Sequence, residues 1–129
     1  MNVLLNLAAR FLMAQMFILA GVSKLGRLGA TQAYMDQMGV PGILLPLVIL
    51  TEIGGGLALL FGIRTKWAAF LLAGFTLVSA LIFHRNFADQ AQLINFMKNL
   101  AITGGLLMFV VHGAGHPQVL GKDAALREE

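Results

Sequence analysis

Charged side chains and cysteines are what this sequence has least of. Asp, Glu, Lys and Arg make up 12% of the 129 residues, about half of what a soluble domain carries. The chain has no cysteine, which excludes disulfides, thiolate-ligated iron–sulfur clusters and dithiol redox chemistry within it. Basic residues are scattered singly, so the net charge of +3 does not predict nucleic-acid binding. A short chain this apolar cannot hide its surface from water, so lipid must be its solvent.

Long apolar runs take the place of the missing charge. Hydrophobic residues make up 58% of the chain, and its mean hydropathy is +0.81. Runs of about 20 apolar residues predict membrane-spanning helices, and the connections between them are short enough to make neighbouring helices antiparallel. The expected fold is therefore all-α, an integral membrane four-helix antiparallel bundle in one domain, residues 1–111. The predicted helices are at about residues 3–25, 43–62, 66–84 and 93–111.

Two further segments fall outside the four spans. A short amphipathic segment at about residues 30–39 is expected at the membrane interface, with Tyr34 at headgroup level. Residues 112–129 form a polar C-terminal tail. His112 and His116 in this tail have neither a stable helix nor carboxylate or thiolate companions, so no metal site is predicted.

Glu52 is the one charged residue of the second predicted span. It lies near the middle of an apolar run, residues 44–61, and is followed by three consecutive glycines. A carboxylate at that depth is expensive unless it is paired or protonated, so Glu52 should face the bundle interior. The sequence leaves three possible partners open: Arg10, Lys24 and Lys98.

The rise and periodicity of an α-helix give the expected depths of the other polar residues relative to Glu52. Arg10 and Lys24 share one face of the first helix, roughly 21 Å apart. With four spans, Lys24, His84 and Lys98 fall at one membrane face and Arg10 lies in the other half. These depths allow a polar axis from Arg10 through Glu52 to Lys24 or Lys98, with His84 at its mouth.

Other polar side chains of the spans have ordinary explanations. Lys98 is near enough to a helix end to reach out to the interface. Thr76 and Ser79 can bond to their own helix backbone, so neither needs a functional explanation. The glycines after Glu52 favour close helix packing in lipid.

Five segments together resemble the DoxX family of small four-helix bacterial membrane proteins. The resemblance covers about residues 9–108, and its pattern is specific in combination rather than in any one piece. The segments are ARFLMAQMFILAGVSKL, AYMDQMGVPG, LTEIGGGLALLFG, GFTLVSALIFH and FMKNLAITGGLLM. The residues of the family's pattern that match here are Arg10, Lys24, Glu52, His84, Lys98 and Asn99.

The resemblance implies a multi-pass protein of the bacterial inner membrane. The family takes its name from a subunit of a thiosulfate:quinone oxidoreductase, and other members are associated with detoxification of oxidants or aromatic compounds. The first hypothesis is therefore an oxidoreductase, or a subunit of one, acting on a non-covalently bound quinone or quinone-like aromatic. In it Glu52 and His84 relay protons. The residues expected to bind the substrate or its anion are Arg10, Lys24, Tyr34, Lys98 and Asn99.

Two other functions remain open on the sequence. The chain could be a non-catalytic scaffold that docks a soluble redox or detoxification enzyme, or a small transporter, for which four helices would need a homo-oligomer. The even number of spans puts both termini on one side. Five basic residues against four at the opposite face predict that this side is the cytoplasm.

Overall fold

The computed structural model describes residues 2–115, and these fold into five α-helices with no strand among them. The helices are α1 (Asn2–Leu25), α2 (Leu28–Gln37), α3 (Leu45–Phe61), α4 (Thr65–Phe83) and α5 (Gln90–His112), with a 3₁₀ turn, Gly42–Leu44, leading into α3. Within this part of the chain four helical segments are long and apolar enough to span a membrane: α1, α3 with its 3₁₀ turn, α4 and α5. The predicted all-α membrane bundle is confirmed. The predicted tail lies mostly outside the described residues, His116 included.

The helix ends follow local chemistry. Pro46 lies in the first turn of α3, where the backbone N–H groups have no helical partner to lose. Gly62 ends α3 with φ 74°, a left-handed conformation that glycine adopts at low cost. The last helix begins at Gln90, three residues earlier than predicted, because the Asp89 carboxylate accepts a hydrogen bond from the Ala91 N–H and caps it.

Helices α1 and α3 form one closely packed antiparallel pair. The buried residues of α1 recur every three or four positions, and so do those of α3, so each helix turns one stripe inward. Arg10 lies on the inward face of α1. The two stripes are Arg10, Ala14, Phe17 and Gly21 in α1, and Leu45, Ile49, Glu52, Gly56 and Leu59 in α3.

Helices α4 and α5 form the second close pair, and the two pairs meet mainly through α3 and α4. Leu72 packs in the space above Gly55, which fixes the register of α4 against α3. Helices α1 and α5 touch less, and the methyl group of Met13 lies over Gly105 on that side. The bundle is therefore two helix pairs with a looser seam between α1 and α5.

Helix α2 closes one end of the bundle. Its residue Met35 is buried with Leu45 and Ile49 of α3. The Asp36 carboxylate accepts a hydrogen bond from the Gly42 N–H at 2.8 Å, which holds the start of the second span against α2. The predicted interfacial segment at 30–39 is thus a helix that begins two residues earlier and packs onto the ends of the spans.

Candidate functional site

Glu52 is paired with Lys24. The Lys24 Nζ atom lies 2.5 Å from Oε1 of Glu52, and of the three cations that the sequence left open, this is the one the structure selects. Glu52 is only 3% exposed, so it faces the bundle interior as expected. The Lys24 side chain is 27% exposed, and the pair therefore runs from a buried carboxylate toward the edge of the bundle.

Two glycines bring the charged residues together. Gly21 of α1 lies against Ile53 and the Cβ of Glu52, and Gly56 of α3 lies against Ile18 and the carbonyl oxygen of Ala14. Without side chains at these positions the helices approach closely enough for the pair to form. Because helical side chains slant toward the N-terminus, Lys24 near the end of α1 points back into the bundle, toward Glu52.

The ion pair lies on the wall of a cleft of about 650 Å³. Side chains from α1, α2, α3, α4 and α5 all contribute to the lining, which is mostly apolar. Its walls include exposed residues such as Val78 and Tyr34, so the cleft is open to the surroundings. Its polar side chains are Lys24, Thr31, Tyr34, Glu52, Thr76, Ser79, His84 and Asn99.

Three of the polar residues lie at similar depth, one from each of three helices. Glu52 is seven residues from the start of α3, about 10 Å along the helix axis. His84 lies at the end of α4, at the same end of the bundle, and Thr76 lies eight residues before it, about 12 Å along the axis of α4. Asn99 lies nine residues after the start of α5, about 14 Å along that helix. These three residues therefore form a polar belt on the walls of a mostly apolar cleft.

Thr76 departs from what the sequence led us to expect. Its residue is 4% exposed, and within residues 2–115 its hydroxyl has no hydrogen-bond partner. The expected bond to its own helix backbone is not formed. Sequence reasoning missed Thr76 as a site residue, since a threonine in a membrane helix normally satisfies its own hydroxyl; only its place on the cleft wall singles it out.

Aromatic residues line the end of the cleft nearest α2. The rings of Tyr34 and Phe83 stack with centroids 5.3 Å apart and an interplanar angle of 24°. Tyr34 is 48% exposed, and His84, at the end of α4, lines the same region. That Tyr34 lies at headgroup level stays a prediction; in the structure its ring joins α2 to α4 at this rim.

Arg10 and Lys98 are placed away from the cleft. Arg10 donates hydrogen bonds to the carbonyl oxygens of Leu60 at 2.8 Å and Ala114 at 3.3 Å. Lys98 is exposed and does not line the cleft. The structure thus gathers five of the seven predicted site residues in one place, Lys24, Tyr34, Glu52, His84 and Asn99. The predicted polar axis is therefore wrong at Arg10, which bonds to Leu60 and Ala114 and not to Glu52. Whether any of the seven acts on a substrate stays a prediction.

Metal chemistry has no obvious place in the described part of the chain. Residues 2–115 contain no group of three His, Cys, Asp or Glu side chains arranged to hold a metal ion. The carboxylate at the cleft is held by an ammonium group instead. What the arrangement offers is a proton-bearing pair beside an apolar space large enough for a small molecule.

Comparison with known proteins agrees with this architecture. A family model described as DoxX matches residues 5–85. Inner membrane protein YqjF of Escherichia coli strain K12 is 53% identical over 109 residues, which cover 84% of this chain and 84% of that protein. Inner membrane protein YphA of the same strain is 30% identical over 118 residues, 86% of this chain and 84% of that protein. No solved structure matches the chain.

Proposed function

This chain belongs to the DoxX family of multi-pass inner-membrane proteins, and we propose that it binds a quinone or quinone-like aromatic in the cleft and takes part in its reduction. The observation that carries the proposal is the Lys24–Glu52 pair on the wall of an apolar cleft. A lone carboxylate at this depth would be expensive. A paired one at a small-molecule cleft is a candidate for proton transfer.

The dimensions and chemistry of the cleft suit such a ligand. A volume of about 650 Å³ lies within the range of small-molecule sites, which are typically apolar with a few convergent polar groups. A flat ring can lie among Phe17, Phe75 and Phe83, which line the cleft, and its oxygens can meet the polar belt. The aromatic side chains at the rim favour stacking against another ring.

The residues of the cleft have separate tasks in this proposal. Reduction of a quinone to a hydroquinone takes up two electrons and two protons, and the electrons come from a partner enzyme or a diffusible reductant. Lys24 and Glu52 hold a proton within reach of the cleft through their shared hydrogen bond. The partly exposed Lys24 side chain and His84 at the rim connect this pair to water, so that a proton used in the cleft can be replaced.

The first experiment examines the lipid extract of the purified protein. Wild type, Glu52→Gln and the control Lys66→Gln are purified in mild detergent, and co-purifying quinone is measured by mass spectrometry. Glu52→Gln keeps the shape of the side chain but cannot carry the proton or the charge, whereas Lys66 lies in the first turn of α4, outside the cleft. We expect about one quinone per chain in wild type and Lys66→Gln, and loss of most of it in Glu52→Gln.

Two results would count against the proposal. If the quinone content is no higher than in an unrelated membrane protein, the chain does not retain a quinone. Pull-down of a soluble partner would then test the scaffold alternative. Equal quinone content in all three proteins would show that Glu52 is not needed to bind the quinone.

We also propose that both termini lie in the cytoplasm. A fluorescent protein that matures only in the cytoplasm should therefore fluoresce when it is fused after the last residue.

A further inference from the structure

Within the polar belt, the hydroxyl of Thr76 has been given no separate task by the proposed function. The hydroxyl of Thr76 lies on the cleft wall, the residue is 4% exposed, and no hydrogen-bond partner exists for it among residues 2–115. Buried hydroxyls in folded proteins are nearly always hydrogen-bonded, so an unpartnered one calls for an explanation. A molecule bound in the cleft would supply the missing partner.

The register of α3 and α4 sets Thr76 at the level of Glu52. Gly55 and Leu72 are in contact, and the two helices run in opposite directions. Moving three residues back from Gly55 reaches Glu52, and moving four residues on from Leu72 reaches Thr76. Both residues therefore lie about one turn from the same contact, on the side nearer α2.

We propose that Thr76 binds the ligand, its hydroxyl hydrogen-bonding to a second oxygen of the molecule whose first oxygen faces Lys24 and Glu52. This inference rests on the proposed function and narrows its substrate class. The ligand is a flat ring with oxygens at two separated positions, as in a benzoquinone or its hydroquinone. A molecule with a single ring oxygen satisfies only one of the two polar positions.

The chain provides a matched control on the same helix. Thr65 is fully buried, and its hydroxyl also lacks a hydrogen-bond partner among the described residues. Thr65 is the first residue of α4 and does not line the cleft. Replacing either threonine by valine removes an unpartnered hydroxyl at nearly constant shape, so neither change should lower the thermal unfolding midpoint.

The experiment measures binding of two probes to full-length protein in lipid nanodiscs by equilibrium dialysis. One probe is a benzoquinone with a decyl tail, and the other is a decyl-substituted phenol with one ring oxygen. We expect Thr76→Val to weaken quinone binding about tenfold, the effect of losing one hydrogen bond, while Thr76→Ser and Thr65→Val bind like wild type. Phenol binding should change less than twofold in all variants.

Each outcome separates the two proposals. If Thr76→Val binds the quinone as well as wild type does, the role of Thr76 is wrong and the proposed function stands. If wild type does not bind the quinone, both are wrong. Should Thr76→Val fail to fold, Thr76→Ala replaces it. Wild type alone gives a second check, since equal affinities for quinone and phenol would overturn the two-oxygen requirement.

Discussion

At the scale of single residues, the two members of the ion pair are in unequal positions. Glu52 lies seven residues into α3 and is 3% exposed, and its short side chain cannot turn outward to the membrane surface. Lys24 is one residue from the end of α1, and its long side chain can turn outward to the interface. Replacing Lys24 therefore leaves the buried carboxylate of Glu52 without a partner. Replacing Glu52 leaves a lysine that can still reach the interface.

This asymmetry predicts unequal costs for the two single substitutions. Lys24→Met should lower the free energy of unfolding by about 2–4 kcal/mol, since removing one partner of a buried pair is strongly destabilising. Glu52→Gln should cost about 1 kcal/mol, the value of a typical hydrogen bond. The double variant should be more stable than Lys24→Met alone. Thermal unfolding in detergent checks the order, and a larger cost for Glu52→Gln would contradict it.

At the scale of helices, the three consecutive glycines of α3 have different surroundings. An alanine Cβ at Gly56 would lie 2.7 Å from Cγ1 of Ile18 and 3.3 Å from the backbone oxygen of Ala14, whereas at Gly54 it would meet nothing within 4 Å. Gly56 therefore sets the separation of α1 and α3. Gly54 is exposed on the outer side of the bundle.

Alanine substitutions separate these two positions. Gly56→Ala should destabilise the protein by about 1–3 kcal/mol, because the new methyl group overlaps Cγ1 of Ile18 and presses on the backbone oxygen of Ala14. Gly54→Ala should stabilise it by about 0.5–1 kcal/mol through lower backbone entropy of the unfolded chain. The unfolding midpoints of the two variants in one detergent provide the measurement. Equal effects at both glycines would mean that α1 and α3 are not in close contact.

At the scale of the whole molecule, Arg10 joins three parts of the chain. It lies on α1 and is 2% exposed, and its guanidinium donates to the last turn of α3 at Leu60 and to Ala114 after α5. Met13 over Gly105 closes the same end of the seam between α1 and α5. The two helix pairs are thus tied together at the end where both described termini lie, and the cleft occupies the other end.

This role predicts the behaviour of Arg10→Lys. A lysine keeps the charge but cannot make both hydrogen bonds with the geometry of a guanidinium, so we expect a loss of about 1.5–3 kcal/mol in stability. Quinone affinity should stay within twofold, since Arg10 does not line the cleft. Arg85→Lys, at an exposed position, is the control for both measurements. Weaker quinone binding at unchanged stability would instead support the sequence-based prediction that Arg10 binds the substrate.

The sequence by itself determined the architecture. In lipid every backbone polar group must be bonded within the protein, so apolar runs of spanning length can only be helices, and four of them joined by short turns form an antiparallel bundle. Helix periodicity put Arg10 and Lys24 on one face of the first span. The cost of a charge in lipid gave the inward direction of Glu52.

Only the tertiary structure decided which polar groups meet. Depth along a helix can be counted from the sequence, but the register and rotation of one helix against another depend on contacts such as Gly56 on Ala14 and Gly55 on Leu72. Those contacts selected Lys24 over Arg10 and Lys98 as the partner of Glu52. They also placed Thr76 on the cleft wall without a partner, which helix periodicity alone does not reveal, because a threonine that bonds its own backbone has the same sequence pattern.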